Sequence, residues 1–585
     1  MGECEVNDLK GIKQKLHDLA GYQTQNAAES SYEKYSINEA RWFKLFPDIK
    51  TEVIEEEIKQ IKNSIENFEQ SSSYVRSNFQ NVLVPVVYEA LYYIFTYSDE
   101  SFRQINFNDL KEYFYSCLKN NGSPTKIAYE QQFKTLLPIV KFDVCNIFQE
   151  FGCKIRLKEL LGNLKLFFQY PKIHKEDVYA ILRNKLKSSD YKLISYDLVQ
   201  LKERNGHLGD YFSLKVDLEF EHNIEHYNFF VKSIFSKSDH LQHIIENGCS
   251  KKEEFFYLTY LPLLQEYGLE SLQNFAPQCY LSRENDLLVL DNLATAGYVG
   301  VTPNTNLDFH CLSLTISKLA NFHSSCIILE ELWNRNDKNP ITFKEVFSEY
   351  LCEAFLIDNK SHSMTPNFDR SFDNLLYLLE KFPNIYDEFT FMELEDKLKK
   401  GWKLMFERVK ESKQFRNVIC HGDMHVANVL LKYYGGTICQ DILLVDFQLL
   451  RYCPPVQDLL LFIYENSSKE TRDTYLTKLT EQYYENLSKN LENFGIITDN
   501  ILSHEDFVKS MEYMRIEAVM QSLYYSVVMK LDPKVREELF FGEKKPKQML
   551  ARGAVVDVGL ESEKYKQAMK ELLVEFVQLC KNGYL

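Results

Sequence analysis

The sequence has 585 residues, enough for several domains with sizeable apolar cores. Its 68 basic residues stand against 84 acidic ones, a net charge of −16, which excludes the dense basic surface needed to hold a phosphate backbone; nucleic acid is not an expected partner. Apolar residues at 45% and charged residues at 26% exclude a disordered chain, and 41 Phe with 37 Tyr foretell ring-rich cores and pockets.

The first residues, Met1–Asp8, lack the basic head and apolar stretch of a signal peptide. No apolar run is long enough to span a membrane. The 13 Cys are odd in number and carry no paired spacing, so reduced thiols in a cytoplasmic protein are the expectation.

Up to about residue 170 the apolar spacing is helical, as in Ile54, Ile58, Ile61 and Ile65. Between roughly 190 and 235 it changes to alternation, in Tyr211–Val216 and again in Tyr227–Val231, which predicts short antiparallel strands. Another strand is predicted at Leu287–Leu290. From Leu307 onward the chain reads as helices, interrupted by one hairpin at about 429–445. These patterns predict an α+β chain with a small antiparallel β lobe, a large helical lobe and an extra helical N-terminal region. The expected divisions are 1–170, 171–296 and 297–585.

The chain also repeats itself. Pro85–Asn121 and Pro454–Asn490 align without gaps and agree at eleven of 37 positions, where chance gives roughly two. Just upstream, Phe79–Val82 resembles Phe415–Val418 at a smaller offset. The first copy therefore lacks a block equivalent to His421–Cys453. Shared amphipathic patterning of two helices is the competing explanation.

That missing block holds the most informative residues: His421-Gly422-Asp423-Met424-His425-Val426-Ala427-Asn428, then Leu443-Leu444-Val445-Asp446-Phe447-Gln448. Val429–Tyr433 and Asp441–Val445 are strand-like runs around the turn signal Gly435-Gly436. In an antiparallel hairpin, Asn428 before the first strand and Asp446 after the second meet at the open end. An amide oxygen and a carboxylate placed together suit Mg²⁺, which prefers hard oxygen ligands. Asp423 enters from the connecting loop and can reach a substrate hydroxyl. This is the H-x-D-x-x-x-x-N plus D-F-x arrangement of phosphoryl transfer, with Asp423 as base and Asn428 and Asp446 as metal ligands for ATP.

The upstream half offers a nucleotide clamp. Gly206 and Gly209, in Gly206-His207-Leu208-Gly209, lie between two strand-like runs where small residues let backbone N–H groups approach phosphates. A plain hairpin turn is the competing reading. Lys232 ends an apolar strand and suits the α/β-phosphates, with a solvated lysine as the alternative. Glu253 begins a helix and could pair with Lys232; Glu254 is its rival. Leu287–Leu293 is an apolar strand breaking into a polar turn, where backbone groups around Asp291 and Leu293 would suit adenine.

At these residues the sequence resembles the ecdysteroid kinase-like family of insect small-molecule kinases, the CHK type, relatives of choline and aminoglycoside kinases. The likeness rests on the His421–Asn428 loop, Leu443–Gln448 with Arg451, and Asp458-Leu459-Leu460. It spans about 172 to 585, roughly 70% of the chain. The resemblance implies a bilobal protein-kinase-like fold and ATP- and Mg²⁺-dependent phosphorylation of a small-molecule alcohol, such as an ecdysteroid or a xenobiotic. It also implies that His421 orients the catalytic loop and that Asp458 braces it, a helix cap being the other reading of Asp458. Asp291-Asn292 stands where such kinases often carry Glu-Asp, and the glycine loop is sparse. The alternative function is a catalytically inactive relative that binds ATP or a lipid-like ligand.

Overall fold

The computed structural model describes residues 9–21, 74–76, 83–98, 100–119, 126–150, 173–201, 210–234, 247–283, 285–335, 340–359, 362, 365–541 and 552–585. The helical spacing of Ile54–Ile65 and the glycines Gly206 and Gly209 lie outside these described residues. The chain divides into two units, 1–193 with 218–225, and 194–217 with 226–585.

In the first unit, α1 (Leu9–Gly21) places Ile12, Leu16 and Leu19 on one buried stripe, the spacing of an amphipathic helix. A short antiparallel pair, β1 (Tyr74–Arg76) and β2 (Leu83–Pro85), leads into α2 (Val86–Tyr97) and α3 (Glu100–Lys119). The pair interrupts a stretch read from sequence as helical. Three-residue strands carry no period that sequence could display. The long α4 (Lys126–Glu150) and α5 (Lys175–Leu186) are tied by a buried ion pair, Lys141 Nζ to Glu176 at 2.5 Å.

Further along the chain, β3 (Tyr191–Gln200), β4 (Asp210–Phe220), β5 (Asn223–Ser233), β6 (Cys279–Arg283) and β7 (Leu287–Asp291) contribute to one sheet of order β3-β4-β5-β7-β6. The strands fall where alternation predicts them, but β3 to β5 are long rather than short, with ten or eleven residues each. Between β5 and β6 lies α6 (Cys249–Phe255), which continues into a π turn at Phe256–Tyr260. Glu253 is thus the fifth residue of its helix rather than the first.

The helical part is built on α7 (Phe309–Asn334), α8 (Thr365–Lys381), α9 (Phe391–Arg408), α10 (Val456–Asn466), α11 (Lys469–Asn493), α12 (His504–Met529) and α13 (Glu563–Lys581). Every residue of α10 is buried, as expected of a helix surrounded on all sides. The predicted hairpin is present as β10 (Val429–Tyr434) and β11 (Ile438–Leu444), joined by β8 (Tyr298–Gly300) in the order β11-β10-β8. A second short pair, β9 (Val418–Cys420) and β12 (Arg451–Cys453), encloses the hairpin and was not legible in the sequence.

The two units share a succession of elements. In each, a short antiparallel pair precedes a helix of eleven or twelve residues, a helix of at least twenty and a helix of at least twenty-five. Side-chain bonds recur with it. Ser98 Oγ donates to Ile94 O at 2.5 Å, and Ser467 Oγ donates to Ile463 O at 2.5 Å. Arg103 donates to Ser98 O, as Arg472 does to Ser467 O at 2.6 Å. Tyr88 Oη reaches Asp143 at 2.6 Å where Gln457 reaches Gln521 at 3.1 Å.

Arg103 is buried against the Phe95 ring at 4.7 Å, so its loss strands a carbonyl and removes a cation–π contact. Arg103→Ala is expected to lower the unfolding free energy by about 1–3 kcal/mol in denaturant titration. Arg472→Ala, which also breaks the 3.1 Å pair with Glu575, is expected to cost at least as much.

Candidate active site

The loop between β9 and β10 is fixed from below by one carboxylate. Asp458, in the first turn of α10, accepts from His421 N at 2.6 Å and Gly422 N at 2.8 Å. His323 of α7 donates Nε2–H to the same carboxylate at 3.1 Å, and its Nδ1 accepts from Tyr483 Oη at 2.8 Å. Burial works against the charge of Asp458, but these donors outweigh it and hold its pKa below the ordinary carboxylate range. Asp458 is therefore a brace rather than a cap of its own helix.

Gly422 has φ +80°, and a Cβ there would meet Leu449 O at 2.3 Å, so this turn requires glycine. His421 donates Nε2–H to Val445 O at 2.9 Å and accepts Asp423 N on Nδ1 at 3.3 Å. The imidazole thereby links the loop to the strand end that precedes Asp446.

Asn428 lies beside Asp423, its Nδ2 donating to Asp423 O at 2.9 Å and to the Asp423 carboxylate at 3.2 Å. Asn428 Oδ1 takes part in neither bond and could hold a metal ion. Across the hairpin mouth, Val445 N donates to Asn428 O at 3.0 Å, one rung beyond the Val429–Leu444 pair. Asp446 follows Val445, in the left-handed region at φ +72°. A non-glycine residue held there is typical of a constrained functional turn. Phe447 behind it stacks on Phe256 of the π turn, with ring centroids 3.6 Å apart and planes 9° from parallel.

Lys232 of β5 is buried and bridges three groups. Its Nζ pairs with Glu253 at 2.8 Å, with Asp446, and with Gln448 Oε1 at 3.5 Å. Burial opposes the ammonium, yet Asp446, Glu253 and Tyr211 hold it protonated well above the ordinary lysine range. Glu254, the rival partner, instead accepts from Ser282 at 2.8 Å. The turn after β7 lies apart from this cluster in its bonding. Asp291 accepts from Tyr280 Oη at 2.7 Å, and Leu293 O accepts from Tyr298 N at 3.0 Å.

Sequence reasoning missed a second group beside Asp423. His425 lies 3.7 Å from the Asp423 carboxylate, and burial pushes its pKa down, so it is neutral at pH 7. Tyr525 meets the His425 ring edge-on at 6.3 Å. Burial first, then the charge of Asp423, pushes the Tyr524 and Tyr525 phenols up. These tyrosines lie about a hundred residues from the loop, in a helix whose pattern gives no sign of them.

The donor set fits a hard divalent cation: an amide oxygen and a carboxylate at one hairpin mouth, with a lysine facing the same carboxylate. A profile of the ecdysteroid kinase-like family matches residues 208–496. That portion of the chain belongs to the ecdysteroid kinase-like family. Among solved structures, the chain is similar to an ethanolamine kinase of Plasmodium vivax at 13% identity, over 72% of this chain and 93% of that one, with TM-score 0.32. It is also similar to macrolide 2′-phosphotransferase of Brachybacterium faecium at 9% identity, over 60% and 94%, with TM-score 0.27. No curated protein sequence is significantly similar to the chain. The fold of the family domain is the bilobal kinase-like one, and no described helix is long and apolar enough to cross a membrane.

Behind the loop, burial pushes the Glu517 carboxyl up to about 8, against the pull of Arg451. The folded protein therefore holds a proton that the unfolded chain, near 4.3, releases. This contribution to stability is complete below about pH 4 and is lost as pH rises through about 8. Glu517→Gln is expected to remove that slope and to raise Tm most at pH 8.5, as read by thermal melts across pH.

Proposed function

We propose that the family domain transfers the γ-phosphoryl group of ATP to the hydroxyl of a small-molecule alcohol, in the class of steroids such as ecdysteroids or of xenobiotic alcohols. The observation that carries this reading is Lys232 between Glu253 and Asp446, with Asn428 beside Asp446 at the hairpin mouth.

In this reading Asn428 Oδ1 and Asp446 hold Mg²⁺, which supplies charge neutralisation on the phosphates when bound. Lys232 faces the α/β-phosphates and Glu253 keeps it in place. Backbone groups around Asp291 and Leu293 receive adenine, and Gly206 and Gly209, outside the described residues, remain the sequence's candidates for the phosphate loop. Asp423 accepts the proton of the acceptor hydroxyl and aims its oxygen for in-line attack. Asn428 Nδ2 and His421 hold the Asp423 segment in register, and the neutral His425 leaves the Asp423 carboxylate without a competing cation.

The acceptor side favours an apolar molecule. Tyr524, which senses the charge of Asp423, packs against Phe368 at 5.7 Å, Trp402 at 5.9 Å and Phe355 at 6.2 Å, an aromatic cluster at the edge of the core. Rings and aliphatic carbons of a steroid or plant phenolic would be desolvated there. The N-terminal unit, in this reading, is a partial copy of the kinase-like helical lobe. It has no counterpart of His421–Cys453 and performs no transfer itself.

The test is Mg-dependent ATP turnover by the purified protein against ecdysteroids, choline-like compounds and plant phenolic or glycosidic alcohols. Asp423→Ala is expected to lower kcat by about 10²–10⁴-fold while ATP affinity is largely kept. Asp446→Asn is expected to weaken Mg-ATP binding itself. Tight ATP or steroid binding without turnover on any acceptor would overturn the kinase reading in favour of a binding protein.

A further inference from the structure

The residue before Glu253 is also a buried charge. Lys252 is 2% exposed, and its Nζ donates to Leu450 O at 2.6 Å and to Cys352 O. Leu450 directly precedes Arg451 of β12, and Cys352 belongs to the segment 347–356 that follows α7 in sequence. The next residue of that segment, Glu353, pairs with Arg451 Nε at 3.1 Å. Its other oxygen accepts Phe355 N at 2.9 Å and Leu356 N at 2.8 Å.

The same segment grips α6 twice more. Lys251 pairs with Glu349 at 2.5 Å, and Phe255 stacks on Tyr350 with ring centroids 4.7 Å apart. Arg451 in turn faces Cys420 across the β9–β12 pair, and its Nε lies 2.8 Å from where a Cβ of Gly422 would stand. One knot of charges therefore touches the helix that carries Glu253 and the turn that carries Asp423.

We propose that Lys252, Glu353 and Arg451 are positioning residues that set the rotation of α6 and the seat of the catalytic loop together. Successive helical side chains diverge by about 100°, so Lys252 cannot stay on its carbonyls while Glu253 turns away from Lys232. Removing the Glu353 charge leaves Arg451 facing only the Glu517 carboxyl, whose ionisation burial opposes, a costly state that the surrounding backbone relieves by moving. The elements that move are α6 and the Gly422 turn together, because those are what the knot holds.

The inference rests on the phosphotransfer reading only for its nucleotide readout. In the full-length protein, Glu353→Gln keeps an acceptor for the two N–H groups and removes the charge. Hydrogen exchange is expected to quicken by at least about tenfold in residues 249–255 and in 419–423, both segments together. Quickening confined to 347–356, or no change, would overturn the proposal. Glu353→Asp keeps the charge at shorter reach and is expected to lie between wild type and Glu353→Gln; it carries the same test should Glu353→Gln fail to fold.

Mg-ATP affinity by calorimetry separates positioning from a general loss of stability. Glu353→Gln is expected to weaken binding about tenfold, and the Glu253→Gln/Glu353→Gln double variant by clearly less than the product of the two single losses, because Glu353 acts in part through Glu253. Additive losses would overturn the proposal. A wild-type protein that binds no Mg-ATP would count against the phosphotransfer reading, and the exchange pattern would still decide the role of the knot.

Discussion

Lys232 carries a full charge in a buried place, and the family domain is arranged around that fact. An ammonium out of water is tolerated only with close counter-charges, and here they come from two distant stretches, Glu253 of α6 and Asp446 beyond β11. Removing either carboxylate leaves the other paired with a cation that has lost half its compensation. The two carboxylates therefore fix β5, α6 and the end of the hairpin against one another. A bound nucleotide would meet a cation already in position rather than one that must be ordered at the moment of binding.

The second constraint is backbone rather than side chain. A tight glycine turn before Asp423 leaves two N–H groups pointing into the interior, where water cannot satisfy them. Asp458 takes both, and it remains ionised there because His323 and Tyr483 form a hydrogen-bonded chain behind it. The loop is thus held by a buried polar network with every named member partnered. Such a network gives a single geometry where an apolar contact would permit several.

How much of this was legible in the sequence follows from the range of each interaction. The hairpin, Asn428 and Asp446 are close in sequence, so their meeting at one mouth could be read from strand runs and a Gly-Gly turn. Glu253 could be named as a partner of Lys232, but only the fold separates it from Glu254, because adjacent helical residues face different neighbours. Strands of three residues, such as β9 and β12, show no alternation to detect. The pairing of Glu353 with Arg451 is invisible for another reason: a buried charge looks like a surface charge until its partner, a hundred residues away, is placed. His425 and Tyr525 share that difficulty.

The block 421–450 could be absent from the same succession of elements without disturbing the strand pair that carries it. Cys420 and Arg451 are register partners across an antiparallel pair, so the ends of 421–450 lie one strand spacing apart, about 5 Å. Deleting the block leaves two strands that a short loop can join, while α10 and α12 lose the partners that the block supplies, such as Met424 O for Asn466 and the His425 ring for Tyr525. The first unit has that form: β1 and β2 pair across a six-residue connection, and the Ser-to-carbonyl and Arg-to-carbonyl bonds of the following helices persist. Glu89 stands where the alignment puts Asp458, with no glycine turn left for it to brace. The block hangs from the closed end of one strand pair, and its own apolar residues, Met424, Val426 and Phe447 among them, join the core that the helices build in the second unit.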